Sequence, residues 1–177
     1  TRTRPSRSPR TSGTSAGTTS GFPPVSIVAR QFSSPIGTVE FRENVVRRVT
    51  DLRRGLDYLE TRTDIDKARI GVIAPSAGSV LGLILAALED RYRAYVFIGA
   101  GLPATYRAIN ASANPINFAS HIRAPKLIIQ GRYDEDTPLR TATEPLFKLM
   151  VEPKWLTIYD GGHVPSMEVE MSATRAW

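Results

Sequence analysis

Three side chains of this sequence could together perform nucleophilic chemistry: Ser76, Asp134 and His163. A serine hydroxyl is a poor nucleophile at neutral pH and needs a base within hydrogen-bond reach. His163 is the candidate base, because an imidazole gains and loses a proton near neutral pH. Asp134 would hold the imidazole in the required tautomer and stabilise the imidazolium. The residue types therefore predict a catalytic serine site, provided that the fold brings them together.

Each of these residues also has an ordinary structural explanation. Ser76 could be the N-cap of a helix, which is the usual role of a serine in an isolated turn. Asp134 could cap a loop, and Asp136 is an alternative acid two residues later. His163 could be a surface histidine. His121 lies in a polar stretch and is expected at the surface, outside the site.

The serine lies in a tight turn between an apolar strand, predicted at 69–73, and an apolar helix that extends to about Leu88. Ala74 and Gly78 stand two positions before and after Ser76, where a crowded strand-to-helix turn accepts only small side chains. The backbone N–H of Ala77, at the start of the helix, would face the oxyanion. The A-x-S-x-G pattern alone is weak, and the acid and the histidine downstream make it specific.

The remaining elements place the acid and the base at matching positions. The sequence predicts further strands at 94–98, 126–130 and 154–159, and helices at 38–61, at about 139–151 and from Met167 onward. Asp134 follows the third strand and His163 follows the fourth. Alternating strands and helices indicate a parallel sheet, whose sites form at the carboxyl ends of the strands. We therefore predict an α/β fold with a mostly parallel sheet and helices on both faces.

Composition narrows the possible functions. The 177 residues carry a net charge of +6 and contain no cysteine, which excludes disulfides and thiolate metal sites. Residues 1–39 hold five arginines and no acid, whereas the rest holds 18 basic and 17 acidic residues. We therefore expect a disordered head at 1–24, one domain at 25–177, and no nucleic-acid binding. No apolar run reaches about 18 residues, so no membrane partner is expected. The head lacks a secretory h-region, which favours the cytoplasm over secretion.

One glycine pattern resembles a cofactor site but fails its second requirement. Residues 99–104 fit G-x-G-x-x-A directly after a predicted strand. A dinucleotide site also needs an acidic residue about 20 positions later, and residues 91–133 contain none. Pro103 also stands where the helix would begin. Two histidines without cysteine make a zinc site improbable. The sequence thus predicts neither a cofactor nor a metal.

From about residue 35 onward the chain resembles the C-terminal part of an α/β-hydrolase. It is most similar to the dienelactone-hydrolase and acetyl-xylan-esterase group, as found in hydrolase domains appended to bacterial serine/threonine kinases. The segments that carry the likeness are 56–62, 64–66, 74–78, 115–119, 131–134, 144–147 and 162–165. The resemblance implies nucleophile Ser76, acid Asp134 and base His163, without a cofactor, acting on small carboxylic esters.

The chain departs from this family in two ways. Ala74 and Pro75 stand where such proteins usually have glycine and a bulky residue. The family's earlier half, which supplies the first strands and a second oxyanion N–H, has no counterpart in residues 1–34. Losing one oxyanion donor costs on the order of 10²–10³ in rate. The strand before Ser76 would also lie at a sheet edge, where 25–32, predicted as a short strand, or a second copy of the chain could pair with it.

Three functions remain from the sequence. The first is a serine esterase, the second a non-catalytic interaction domain of a larger or kinase-linked protein. The third is a related acyl-transfer or C–C hydrolase, since a catalytic triad does not fix the acceptor.

Overall fold

The computed structural model of the chain describes residues 34–177. The predicted head at 1–24 and the predicted strand at 25–32 lie outside these residues. The helices are α1 (Val39–Thr61), α2 (Ala77–Leu88), α3 (Glu144–Leu149) and α4 (Met167–Ala176). The strands are β1 (Val72–Pro75), β2 (Tyr95–Ile98), β3 (Lys126–Gly131) and β4 (Lys154–Tyr159).

The four strands form one parallel sheet in the order β1-β2-β3-β4. Alternate residues of β2 and β3 point to opposite faces. Tyr95, Phe97 and Ile128 pack with α1, α2 and Leu146 of α3 in the larger core cluster. Val96, Ile98, Leu127 and Ile129 form a second cluster, against which Ala173 of α4 and Trp177 pack. The predicted parallel sheet with helices on both faces is therefore confirmed.

Helix α1 follows its predicted apolar stripe. Thr38 caps its first turn by accepting a hydrogen bond from Phe41 N at 3.1 Å. The buried residues of α1 recur at three- and four-residue steps, apart from one longer step at the half-buried Leu52, and belong to the larger core cluster: Phe41, Val45, Val49, Leu56 and Leu59. Helix α2 is buried over nearly its whole length, as its apolar sequence predicts.

The strand before Ser76 begins and ends later than predicted. A 3₁₀ turn, Lys67–Arg69, occupies the expected start, because Asp66 caps it by accepting from Ala68 N at 3.0 Å. The strand then runs through Pro75, at the edge of the four-stranded sheet that the described residues form. Val72 N and Ser76 N donate to backbone carbonyl oxygens on the side of β2, at 2.9 and 2.7 Å. Because alternate residues of a strand direct their N–H groups to opposite sides, the nitrogen of Pro75 faces away from β2. A proline, which has no N–H, is tolerated there.

The predicted helix at 139–151 is divided. A π-helical turn, Leu139–Thr143, precedes the short α3. Pro145 at the start of α3 cannot donate a backbone hydrogen bond, which prevents one continuous α-helical ladder. Instead Ala142 N and Thr143 N both donate to Pro138 O, at 2.8 and 3.4 Å. The irregular stretch before β3 folds as short 3₁₀ turns: Ala104–Ala108, Ala111–Ala113, Pro115–Asn117 and Ala119–His121.

Within the described range, no helix combines the length and apolar character that a membrane crossing requires.

A buried carboxylate joins α1 to the chain after α2. The Glu89 side chain is 5% exposed and accepts hydrogen bonds from Arg91, at 2.7 Å to each oxygen, and from Arg53 at 3.2 Å. Arg91 also contacts Asp57 and Glu60 of α1. The Arg91 hydrogen bonds lower the pKa of Glu89 to about 2, against a desolvation effect that raises it.

We expect Glu89→Gln to destabilise the protein by about 2 kcal/mol at pH 7, because charge-assisted hydrogen bonds are lost. The folded-state pKa of Glu89 lies below its unfolded value, so its contribution is present at pH 5 and above and disappears as pH falls toward 2. Thermal melts of both proteins from pH 7 to 2 should therefore converge at low pH. Asp90→Asn, which neutralises an exposed carboxylate beside Glu89, is the control. A gap between the melting curves that is constant with pH would contradict this role.

Candidate active site

Ser76 occupies a strained turn between β1 and α2. Its φ of 48° and ψ of −119° make it the one non-glycine residue with positive φ among the described residues. Such backbone geometry costs about 1–3 kcal/mol and persists where surrounding structure enforces it. Ser76 N donates to Ile98 O at 2.7 Å, and Ser76 O accepts from Ser79 N at 2.8 Å. The hydroxyl makes no capping hydrogen bond to α2, so Ser76 is not an ordinary N-cap serine.

The crowding around this turn differs in part from the prediction. Ala74 is 5% exposed, and a Cβ on Gly82 would lie 2.7 Å from the Ala74 Cβ, so space beside β1 is limited. A Cβ on Gly78 would meet only Pro75 Cδ at 3.5 Å, an ordinary contact. The close approach of α2 to the sheet thus depends on Gly82, one turn beyond the predicted position.

The structure brings the three predicted residues into one hydrogen-bonded chain. Ser76 Oγ lies 2.6 Å from His163 Nε2, and His163 Nδ1 lies 2.8 Å from Asp134 Oδ2. An ionised Asp134 can only accept, which assigns the proton to Nδ1 and leaves the Nε2 lone pair facing the serine hydroxyl. This arrangement can remove a proton from Ser76 as its oxygen attacks an electrophile.

Asp134 is buried and held as an anion by several donors. Its Oδ1 accepts from the N–H groups of Asp136 and Thr137, both at 2.9 Å. Its Oδ2 accepts from Gln130 Nε2 and Thr137 Oγ1, both at 2.8 Å, as well as from His163. Burial alone raises the pKa of Asp134, but the hydrogen bonds outweigh it and hold this pKa below its usual range.

The predicted alternatives for the acid and the second histidine occupy other positions. Asp136 does not reach Nδ1, and its Oδ2 lies 3.9 Å from His163 Nε2, on the side facing Ser76. His121 is exposed at the end of a 3₁₀ turn, as predicted, with Ser120 Oγ at 3.2 Å.

Two supporting residues were not predicted. Gln130 is fully buried at the end of β3 and donates to Asp134 Oδ2 and to Thr137 O. A polar side chain directly after the apolar run 127–129 of this strand was the available signal. Thr137 donates through both its N–H and its hydroxyl, a pattern typical of a tight loop three residues after an aspartate.

The glycine pattern at 99–104 belongs to this site rather than to a phosphate loop. Gly99 has a φ of 62°, and a Cβ there would lie 2.8 Å from His163 Cε1. A Cβ on Gly101 would lie 2.9 Å from that of Ala142. The chain then enters the 3₁₀ turn after Pro103 and not an α-helix. These glycines thus leave room for the imidazole and for the π-helical turn.

Ala77, the predicted oxyanion residue, is the first residue of α2. The N–H groups of the first helical turn have no acceptor within the helix. The Ala77 N–H thus lies at the positive end of the α2 dipole, directly after Ser76 in the chain.

Asp134, Asp136 and His163 also have ligand atoms within 4.8 Å of one another, a spacing that could suit a metal ion. Both imidazole nitrogens already have partners, Ser76 and Asp134. The geometry therefore supports proton transfer without assigning a metal.

A matched glycine pair tests how the histidine is positioned. A Cβ on Gly131 would overlap Gly162 O and lie 2.7 Å from Gly161 O, both of them backbone atoms just before His163. We expect Gly131→Ala to cost about 3 kcal/mol, because the backbone must move. Displacement of His163 should also lower activity on the order of 10²-fold.

Gly162→Ala is the control, since a Cβ there would have nothing within 4 Å. Chemical denaturation measures the stability, and hydrolysis of the small esters expected from the sequence measures the activity. Equal stability and activity in the two alanine variants would contradict the contact.

No protein-family model matches the chain, and no curated protein matches it either. Solved structures do match. A cold-adapted esterase from an Arctic intertidal metagenomic library superimposes with a TM-score of 0.61 at 19% identity, over 79% of this chain and 64% of that one. An acetyl xylan esterase from Paenibacillus sp. R4 gives 0.61 at 21%, over 77% and 52%. The acylaminoacyl peptidase of Pyrococcus horikoshii gives 0.59 at 17%, over 69% and 24%.

The chain thus spans between about a quarter and two thirds of the length of these three proteins. At such identities the likeness shows the fold, and the reaction has to be argued from the site.

Proposed function

Because this chain has an α/β-hydrolase fold, we propose that it is a serine hydrolase that cleaves small carboxylic esters through Ser76, His163 and Asp134. The observation that carries the proposal is the hydrogen-bonded chain from Ser76 Oγ through His163 to the buried Asp134 carboxylate. A surface histidine and a loop-capping aspartate would not require this alignment with a serine held at positive φ.

The reaction proceeds in two halves. His163 Nε2 takes the hydroxyl proton as Ser76 Oγ bonds to the ester carbon, and the Asp134 carboxylate stabilises the imidazolium. The Ala77 N–H donates to the oxyanion. The imidazolium then gives its proton to the departing alcohol, leaving an acyl-serine. Water, deprotonated by His163, releases the acid and restores Ser76.

The proposal is tested with p-nitrophenyl acetate and a fluorophosphonate probe. Purified protein should release p-nitrophenol faster than a Ser76→Ala control and should be labelled at Ser76. The proposal is rejected if neither hydrolysis nor labelling exceeds the control.

The position of β1 at the edge of the sheet that residues 34–177 form favours a second candidate, a non-catalytic interaction domain. Ile73, on this edge strand, is 54% exposed, although it lies beside the buried Val96 of β2. A partner strand, including one from a second copy of this chain, would cover it. Sedimentation that shows self-association of wild type and not of Ile73→Lys, together with no fluorophosphonate labelling, would favour this candidate over the esterase.

A further inference from the structure

Asp136 places a second negative charge beside the candidate nucleophile. Its backbone N–H donates to Asp134 Oδ1 at 2.9 Å, which ties the residue to the buried acid. Its side chain is 76% exposed, and Oδ2 lies 3.9 Å from His163 Nε2. The same Nε2 lies 2.6 Å from Ser76 Oγ. The Asp136 carboxylate therefore lies within about 6.5 Å of Ser76 Oγ, the atom that would attack a substrate carbonyl.

Among the described residues, His163 is the one basic group close to the Asp136 carboxylate. No lysine or arginine in residues 34–177 lies within ion-pair distance of it. Arg132, in the same loop, is instead paired with Asp160 at 2.6 Å. The charge of Asp134, in contrast, is stabilised, because its two oxygens accept hydrogen bonds from His163, Thr137 and Gln130. The Asp136 carboxylate therefore contributes negative potential beside His163 Nε2 and Ser76 Oγ.

We propose that Asp136 is a specificity-determining residue that selects esters carrying a positive charge near the scissile bond and disfavours anionic ones. This inference rests on the proposed esterase function. A charge about 6 Å from the carboxylate, at an effective dielectric constant of about 40, gives a preference of about tenfold. Because the Asp136 side chain is highly exposed, the preference should not exceed this value and should depend on the salt concentration.

Three acetate esters of similar size test the proposal: the ester of choline, its uncharged isostere with carbon in place of nitrogen, and one bearing a sulfonate. At low ionic strength, kcat/KM of wild type should be about tenfold higher for the choline ester than for the isostere, and about tenfold lower for the sulfonate. Asp136→Asn should remove both preferences, and Asp136→Lys should reverse them. Added 1 M salt should weaken them.

Glu135→Gln is the matched control, an exposed neighbouring carboxylate for which the structure gives no contact with His163. Ratios that Asp136→Asn leaves unchanged, while all esters are hydrolysed, would overturn the inference and leave the esterase intact.

If no ester is hydrolysed, the proposed function fails. A binding measurement then tests whether Asp136 attracts a cation to the site. Tetramethylammonium should then shift the His163 ring signals in NMR spectra of wild type and not of Asp136→Asn. The absence of that shift in wild type would overturn the inference.

Discussion

Replacing Ser76 with alanine is expected to lower ester hydrolysis by about 10⁴–10⁶-fold without unfolding the protein. The hydroxyl is the group that would form the acyl intermediate, and the remaining N–H donors and binding contacts sustain only a small residual rate. The Ser76 side chain is exposed and makes no capping hydrogen bond, so its loss removes little from the fold. Initial rates with p-nitrophenyl acetate and thermal melts measure the two properties.

Ser76→Gly separates chemistry from backbone strain. Glycine adopts a φ of 48° without steric cost, whereas alanine keeps the strain of the serine. We expect the glycine variant to be as inactive as the alanine variant and more stable by about 1 kcal/mol. Activity in either variant close to that of wild type would show that another group is the nucleophile.

Asp134→Asn is expected to lower kcat on the order of 10⁴-fold. The amide group of asparagine can donate to His163, which favours the tautomer with its proton on Nε2, and that nitrogen can no longer accept from Ser76. The amide oxygen, in the place of Oδ1, can still accept from the N–H groups of Asp136 and Thr137, so the loop should be largely retained. Activity and circular dichroism of the variant measure both effects.

The pH dependence of stability provides an independent measurement on Asp134. Its folded-state pKa is lowered, so its contribution to stability is present above the unfolded pKa of about 4 and is lost as pH falls through the folded value. Asp134→Asn should lose that part of the acid dependence, and Glu135→Gln, in the same loop, should not. An activity loss equal in these two variants would mean that the loop, and not the buried carboxylate, matters.

The site was predictable from the sequence to the extent that it depends on topology. Ser76, Asp134 and His163 each follow a parallel strand, and the carboxyl ends of such strands lie at one edge of the sheet. Chain order and spacing therefore predicted that these strand ends meet, and the resemblance to α/β-hydrolases favoured Asp134 over Asp136. The roles of Gln130 and Thr137 could not be predicted, because they depend on side-chain directions inside a buried loop.

The exact ends of the helices and strands were less predictable. The strand before Ser76 was shifted by the cap at Asp66 and by a proline that is tolerated because its nitrogen faces away from β2. The helix at 139–151 was interrupted because Pro145 imposes a π-helical turn before it. Both are cases where one residue's backbone hydrogen bonding outweighs the apolar pattern around it.

The contact between Ser76 and His163 joins residues 87 positions apart in the chain. It exists only when β1, β2, β3 and β4 have all found their neighbours, and such non-local pairing is slow to form during folding. Reactivity of Ser76 should therefore appear after secondary structure when the denatured protein is returned to native conditions. A fluorophosphonate pulse at successive times would then serve as a clock for completion of the sheet.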